Sequence, residues 1–331
     1  MAGTLAPEAL LGELAGMWRS FGQAEGGEAV LRACSMTLLT VTSGGRDSGA
    51  LGETLALLMR DHPSRAIVVD LRERDTPLDA RVSVECWLPF GRRRQLCAER
   101  IEIVAGLGAA ESLVPVLRAL VVPDLPTVLW AHQPELAFGG PAGALLDLAG
   151  KVIVDTAGLA DSRSALAEVA SLAGRRRRVA DLSWTRLTRW RETVARSLEA
   201  PASAGRLAAV SEAAVAHGGA APGVPAYYLA AWLAGALGWE DGRAEGLGIR
   251  FEPRTEAPGG IAGVRLRGPG FEFSLRRGEG ACADLRLDGA GSRILIGEPP
   301  AHELLREELS ILETDAVFED TLKRAVRIAD C

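Results

Sequence analysis

Between residues 38 and 184 the chain alternates two hydrophobic periods, and this alternation is the strongest constraint on what it can fold into. Short apolar runs at 38–42, 66–71, 82–88, 99–105, 127–131, 151–156 and 179–184 have the length of strands. Most intervals between them repeat apolar side chains three and four residues apart, as at Leu51, Leu55 and Leu58, or at Leu113, Val116, Leu117 and Leu120. Strands that alternate with helices are covered on both faces, which selects an α/β layered domain with a largely parallel sheet. One interval breaks the rule. The runs at 82–88 and 99–105 flank the turn-like Phe90-Gly91-Arg92-Arg93 and leave no room for a crossover helix, so this pair is expected as an antiparallel hairpin.

Residues 200–205 (APASAG) are small, uncharged and proline-containing, the composition of a linker. The pattern changes beyond them. A strand near 207–216 and a helix at 226–239 precede short alternating strands at 248–253, 263–267, 271–276, 284–287 and 293–296, and helices follow at 302–312 and 315–328. The expectation is an α/β domain at 1–200 followed by a smaller α+β domain at 201–331, in keeping with a length of 331 residues.

Charge and hydropathy exclude several classes. The net charge of −6 argues against wholesale nucleic-acid binding, although Arg92-Arg93-Arg94 and Arg175-Arg176-Arg177-Arg178 are local basic runs. The first residues lack a basic start and carry Glu8 and Glu13 in their apolar stretch, so they do not read as a signal peptide, and the cytoplasm is the expected compartment. Residues 218–239 carry no charge. Glycine and proline confine the continuous helix there to 226–239, short of the ~20 residues of a bilayer span, so a buried core helix and no membrane partner are expected.

The chemistry is equally restrictive. Ser43-Gly44-Gly45-Arg46-Asp47-Ser48-Gly49 follows the first strand where a phosphate loop would sit, and Gly44 and Gly49 have its glycine spacing. Ala50 and Leu51 occupy the lysine and hydroxyl positions, so the counter-charge for a γ-phosphate and a magnesium ligand are both missing. Gly106-Leu107-Gly108-Ala109-Ala110-Glu111 begins as a dinucleotide fingerprint and fails at its third glycine. No Gly-x-Ser-x-Gly elbow is present, and the five cysteines form no Cys-x-x-Cys pair. In His302-Glu303-Leu304-Leu305-Arg306 an arginine replaces the second histidine of a zinc site. No catalytic residue, metal or cofactor is expected.

The hairpin adds one pairing. If it turns between Gly91 and Arg92, facing residues have numbers that sum to 183, which sets Cys86 opposite Cys97. Two readings follow, a redox-sensitive pair or two buried thiols packed as small hydrophobes.

Several separated stretches carry a family resemblance: His62-Pro63-Ser64-Arg65-Ala66-Ile67-Val68-Val69, Cys97-Ala98-Glu99-Arg100-Ile101, Val121-Val122-Pro123-Asp124-Leu125-Pro126-Thr127-Val128-Leu129-Trp130, and DLSWTRLTRWRE at 181–192, continued by Leu229-Ala230-Ala231-Trp232-Leu233 and Leu237-Gly238-Trp239. In this order they resemble the glucose-6-phosphate dehydrogenase assembly proteins of the OpcA family across both halves of the chain. Ala131 stands where that family commonly has a second tryptophan, and Arg189 where it often has proline.

The resemblance implies a non-enzymatic partner of glucose-6-phosphate dehydrogenase, an allosteric activator that supports NADPH production in the pentose phosphate pathway. Asp124, Trp130, Arg186, Arg189, Trp190 and Arg191 are the partner-binding candidates, tryptophan and arginine being enriched at interface hot spots. From the residues alone, Trp184, Leu187, Trp190, Val194 and Leu198 form an apolar helical stripe that seals against the sheet, with Ser183 or Thr188 as its cap. The competing class is a nucleotide- or sugar-phosphate-binding enzyme or sensor that uses the Gly44 to Gly49 loop.

Overall fold

The computed structural model describes residues 5–23, 30–44, 48–73, 75–88, 95–174, 177–199, 206–239, 248–254 and 260–330. In chain order, α1 (Pro7–Gln23), β1 (Leu31–Arg32), β2 (Met36–Ser43), α2 (Ser48–Asp61), β3 (Ser64–Arg72), β4 (Asp79–Trp87), β5 (Leu96–Gly106), α3 (Ala110–Leu120), β6 (Thr127–Ala131) and β7 (Lys151–Val154) come first. They are followed by α4 (Ser162–Gly174), β8 (Arg178–Asp181), α5 (Leu182–Thr185), α6 (Thr188–Glu199), β9 (Glu212–Gly218) and α7 (Val224–Ala236). Strands β10 (Ile249–Arg254), β11 (Ile261–Gly268), β12 (Phe271–Arg277), β13 (Cys282–Leu287) and β14 (Ala290–Leu295) lead to α8 (Ala301–Ser310) and α9 (Ala316–Asp330). Contacts divide the chain into two units. The first comprises Met1–Asp155, Arg176–Ala180 and Ala301–Thr314; the second comprises Thr156–Arg175, Asp181–Pro300 and Asp315–Cys331. The linker expected at 200–205 lies outside the described residues, and a division at that point stands as a proposal.

The first unit is built on a sheet ordered β1-β5-β3-β2-β6-β7-β8, with β4 paired to β5. Strands β2, β3 and β6 are buried nearly throughout and rich in β-branched residues, as covered central strands must be. From β5 to β8 the order is third-second-first-fourth-fifth-sixth, the doubly wound arrangement of dinucleotide-binding sheets. Its third strand arrives through the hairpin β4–β5 instead of a crossover helix. The hairpin is antiparallel with Cys86 opposite Cys97, and the two cysteines are joined as a disulfide.

Two buried ion clusters tie strands to helices in this unit. Glu99, 3% exposed, accepts from Arg65 Nε at 2.7 Å and from Trp18 Nε1 at 2.7 Å, and Arg65 also donates to the Leu120 carbonyl at the end of α3. At the start of β7, Lys151 Nζ donates to the carboxylate of Glu308 and to the carbonyls of Glu308 and Ile311 at 2.7–2.8 Å. These bonds use all three ammonium protons and satisfy carbonyls at the C-terminus of α8.

The second unit is built on a sheet ordered β10-β9-β11-β12-β13-β14, parallel between β10 and β9 and antiparallel elsewhere. Helix α7 is apolar all round and buried along most of its length, as a helix without a polar face must be, and it packs on α9, α4 and β9. Among the described residues no helix is long and apolar enough to cross a membrane. Two expected strands differ from those observed. The run at 179–184 ends as a strand at Asp181, because its carboxylate accepts from the Ser183 amide at 2.9 Å and starts a helix there. The strand expected near 207–216 is a short 3-10 turn, Leu207–Ala209, followed by β9.

Candidate functional site

In the first unit the order of the sheet reverses between β2 and β6, and ligands of such folds bind at the carboxyl edge of that crevice. Here the two strand ends are laced together. Thr42 Oγ1 lies 3.3 Å from His132 Nδ1, the Ser43 amide donates to Gln133 Oε1 at 3.0 Å, and Gln133 Nε2 returns a bond to the Ser43 carbonyl at 3.4 Å. The Ser43 backbone amide at the end of β2 is therefore committed to a side chain. Gly44 follows with φ 93°, a left-handed conformation open to glycine, and Gly49 lies in the first turn of α2. Residues 45–47 of this loop lie outside the described residues.

One face of the sheet at this edge is polar beneath its apolar neighbours. Register sets Thr40 beside Trp130, and Thr42 beside Asp70. Thr40 Oγ1, Asp70 Oδ1, Arg100 Nε and Trp130 Nε1 are buried without a hydrogen-bond partner among the described residues. Trp130, a partner-binding candidate, is 3% exposed and meets His132 edge-on at 5.1 Å. Asp124, another candidate, is exposed in the Pro123–Pro126 loop that enters β6, with its backbone in the left-handed region at φ 64°.

In the second unit the stretch at 181–192 builds a polar knot in an apolar core. Asp181 is fully buried and accepts from the Thr156 amide at 3.1 Å, the Thr156 hydroxyl at 2.5 Å, the Ser183 amide at 2.9 Å and the Tyr228 phenol at 3.0 Å. Burial, then the neighbouring Asp181 charge, pushes the Tyr228 hydroxyl well above its ordinary value. Trp184, 2% exposed, donates from Nε1 to Asp315 Oδ2 at 3.3 Å, and the Arg191 guanidinium stacks 3.5 Å above its ring. Trp184, Leu187, Trp190 and Val194 are buried and Leu198 is half-buried, so most of the expected stripe faces the core, but it is divided between α5, capped by Asp181 and not by Ser183, and α6.

Two of the remaining candidates, Arg186 and Trp190, line a cleft of about 340 Å3 in this unit. Trp190, 3% exposed, forms part of its wall, and Arg186 reaches it half-buried with Nε 3.6 Å from Glu298 Oε1. Arg277 holds its guanidinium 5.9 Å from the Trp190 ring and donates to the Ile261 carbonyl. Arg189 is exposed on α6. The sequence reading missed Tyr228, Thr156 and Arg277; each is remote in sequence from the stretch it completes, and only the uncharged helix around Tyr228 signalled a buried position. The geometry offers cation, indole and glycine edges for recognition. Among the described residues no group of histidine, cysteine and carboxylate side chains could hold a metal.

The fold defines a two-unit α/β protein whose first sheet is doubly wound and whose second is mixed. The solved structure of KijD10, a 3-ketoreductase from Actinomadura kijaniata in complex with NADP and TDP-benzene, superposes with a TM-score of 0.51 over 89% of this chain and 96% of that one, at 11% identity, which is a likeness of fold alone. The chain belongs to the glucose-6-phosphate dehydrogenase assembly (OpcA) family: residues 56–171 match the glucose-6-phosphate dehydrogenase subunit N-terminal domain and residues 177–322 its C-terminal domain. It is similar to the "Putative OxPP cycle protein OpcA" of Synechocystis sp., 26% identical over 198 residues, 58% of this chain and 40% of that protein. The protein of the same name from Synechococcus elongatus is 24% identical over 213 residues, 60% of this chain and 47% of its own length. The chain thus matches less than half the length of these relatives.

Proposed function

We propose that this chain is a non-catalytic effector that binds glucose-6-phosphate dehydrogenase in the cytoplasm, promotes its oligomeric assembly and raises its activity in the oxidative pentose phosphate pathway. The observation that carries the reading is the ordered match of both halves to domains described as belonging to the dehydrogenase subunit. The crevice supports it: the Ser43 amide is bonded to Gln133, and Ala50 and Leu51 replace the lysine and hydroxyl that a phosphate loop requires. An activator of this kind binds the active dehydrogenase conformation more tightly than the inactive one, since equal affinity shifts no population. Arg186, Arg189 and Arg191 are the proposed anchors on the second unit.

The test is a glucose-6-phosphate dehydrogenase assay with the enzyme of the same source, with and without this protein, together with size-exclusion chromatography of the mixture. A higher rate with co-elution supports the reading; no co-elution and an unchanged rate refute it. A second reading, a nucleotide or sugar-phosphate sensor at Gly44 to Gly49, is favoured by the unpartnered buried atoms of Thr40, Asp70, Arg100 and Trp130. Calorimetry with NADP and with glucose 6-phosphate separates the two, because the sensor must give a saturable heat with the chain alone.

A further inference from the structure

The second unit's sheet buries one face and leaves the other outward. On β12 the inward residues are Phe271, Phe273 and Leu275, while Glu272 and Arg276 point out and are exposed. Antiparallel sheets commonly present one polar face to water, where arginines and carboxylates pair in ladders. Part of this face follows that pattern: Glu252 pairs with Arg254 and Arg265, Glu272 with Arg267, and Asp284 with Arg293.

The rest of it does not. Arg250, Arg276 and Arg286 are exposed and none is ion-paired among the described residues, the carboxylate opposite Arg276, Asp284, being paired with Arg293 instead. Register places Arg250 beside Ala214, Ala214 beside Arg265, Arg265 beside Ser274, and Ser274 beside Arg286. Arginine and small residue therefore alternate across five adjacent strands. With strands ~4.8 Å apart, the cations recur about every 10 Å. The small residues leave a trough between them. A recess of about 550 Å3 has Ala214, Ala216 and Gly263 among its lining, where Arg254, Arg265, Arg276 and Arg277 outnumber Glu252 and Glu279. Gly263 keeps the floor low: a β-carbon there would meet the Leu275 carbonyl oxygen at 2.8 Å, at the point where the β9–β11 register shifts. This surplus of cations lies on a chain whose net charge is −6.

We infer that the outward face of this sheet is the docking surface for a carboxylate-rich surface of glucose-6-phosphate dehydrogenase. The inference rests on the effector reading and adds the face and the partner's chemistry to it. Cations held at fixed spacing on a rigid sheet raise the encounter rate with an acidic surface and fix its register. The trough gives the partner's carboxylates a place to enter between arginine arms, where pairing is less screened than on a flat surface.

The experiment compares the full chain with Arg276→Glu/Arg286→Glu and with the milder Arg276→Gln/Arg286→Gln, each checked by circular dichroism and thermal melting. Affinity for the dehydrogenase is measured by calorimetry at low and high salt. Wild type should bind, more weakly as salt rises. The charge reversal should weaken low-salt binding by about tenfold or more and flatten the salt dependence, with the glutamine pair between. If wild type binds no dehydrogenase, the effector reading fails and this inference with it. If wild type binds and the folded reversal variant matches it in affinity and salt slope, the assignment of this face alone is overturned. Self-association of the chain that the reversal abolishes, with dehydrogenase binding intact, assigns the face to a second copy and also overturns it.

Discussion

Asp181 is the position where one substitution should cost the second unit most. Alanine there strands four buried donors: the amides of Thr156 and Ser183, the Thr156 hydroxyl and the Tyr228 phenol. The Ser183 amide belongs to the first turn of α5, and loss of such a cap costs about 1 kcal/mol. The phenol and the Thr156 amide, left unsatisfied, cost about 1–3 kcal/mol each. The Thr156 hydroxyl keeps the Ser183 hydroxyl at 3.0 Å and adds little. The loss is therefore about 3–7 kcal/mol, against typical domain stabilities of about 5–15 kcal/mol. Asp181→Asn should cost less, because its carbonyl still accepts while its amide group faces other donors. Tyr228→Phe removes one stranded donor, so in the Asp181→Ala background it should cost nothing or restore stability, giving a coupling of about 1–3 kcal/mol. Urea unfolding followed by near-ultraviolet circular dichroism measures all four variants. A loss below about 1 kcal/mol for Asp181→Ala, or full additivity with Tyr228→Phe, would refute the claim that this knot organises the core.

Three further outcomes are expected. Lys151→Met leaves the Glu308 carboxylate, 6% exposed, and two carbonyls without their cation, and should cost about 3–5 kcal/mol in urea unfolding, with Lys151→Met/Glu308→Leu recovering part of it. Tyr228 ionises more readily unfolded than folded, so its contribution is complete below about pH 10 and lost as pH rises further; stability of wild type should fall more steeply there than that of Tyr228→Phe. The pairing of Cys86 with Cys97 predicts that mass-based thiol counting under mild oxidant finds both blocked and that Cys86→Ser frees Cys97, whereas two free thiols after oxidation would exclude a redox pair.

Much of the fold was legible because its signals are periodic and local. The strand at 127–131 coincides with β6, and the hairpin register followed from counting about one turn, which is why Cys86 and Cys97 could be paired in advance. The burial of Trp184, Leu187, Trp190 and Val194 was legible for the same reason, although Leu198 is half-buried and the chain breaks the stripe between α5 and α6. Where the reading slipped, at 179–184, an apolar run looked like a longer strand because the capping power of Asp181 acts on its neighbours only after the strand has placed it. The polar partners were least legible. Nothing in the sequence near Trp190 points to Arg277, nor anything near Asp181 to Tyr228, since hydrogen bonds between distant residues leave no periodic trace. The family resemblance located the stretch at 181–192 but not the division between its core side and its exposed Arg189.

The partners of Lys151 bear on how the protein is made. Glu308 follows it by 157 residues, so its carboxylate arrives only when α8 is made. At synthesis rates of about 5–20 residues per second, roughly 8–30 s pass between the emergence of the lysine and that of its acceptors. Throughout that interval the nascent first unit holds a strand end whose cation must remain hydrated. Ribosomes stalled before residue 301 should therefore display a protease-sensitive first unit, and a gene cut at residue 200 would encode a fragment lacking the helix that closes it.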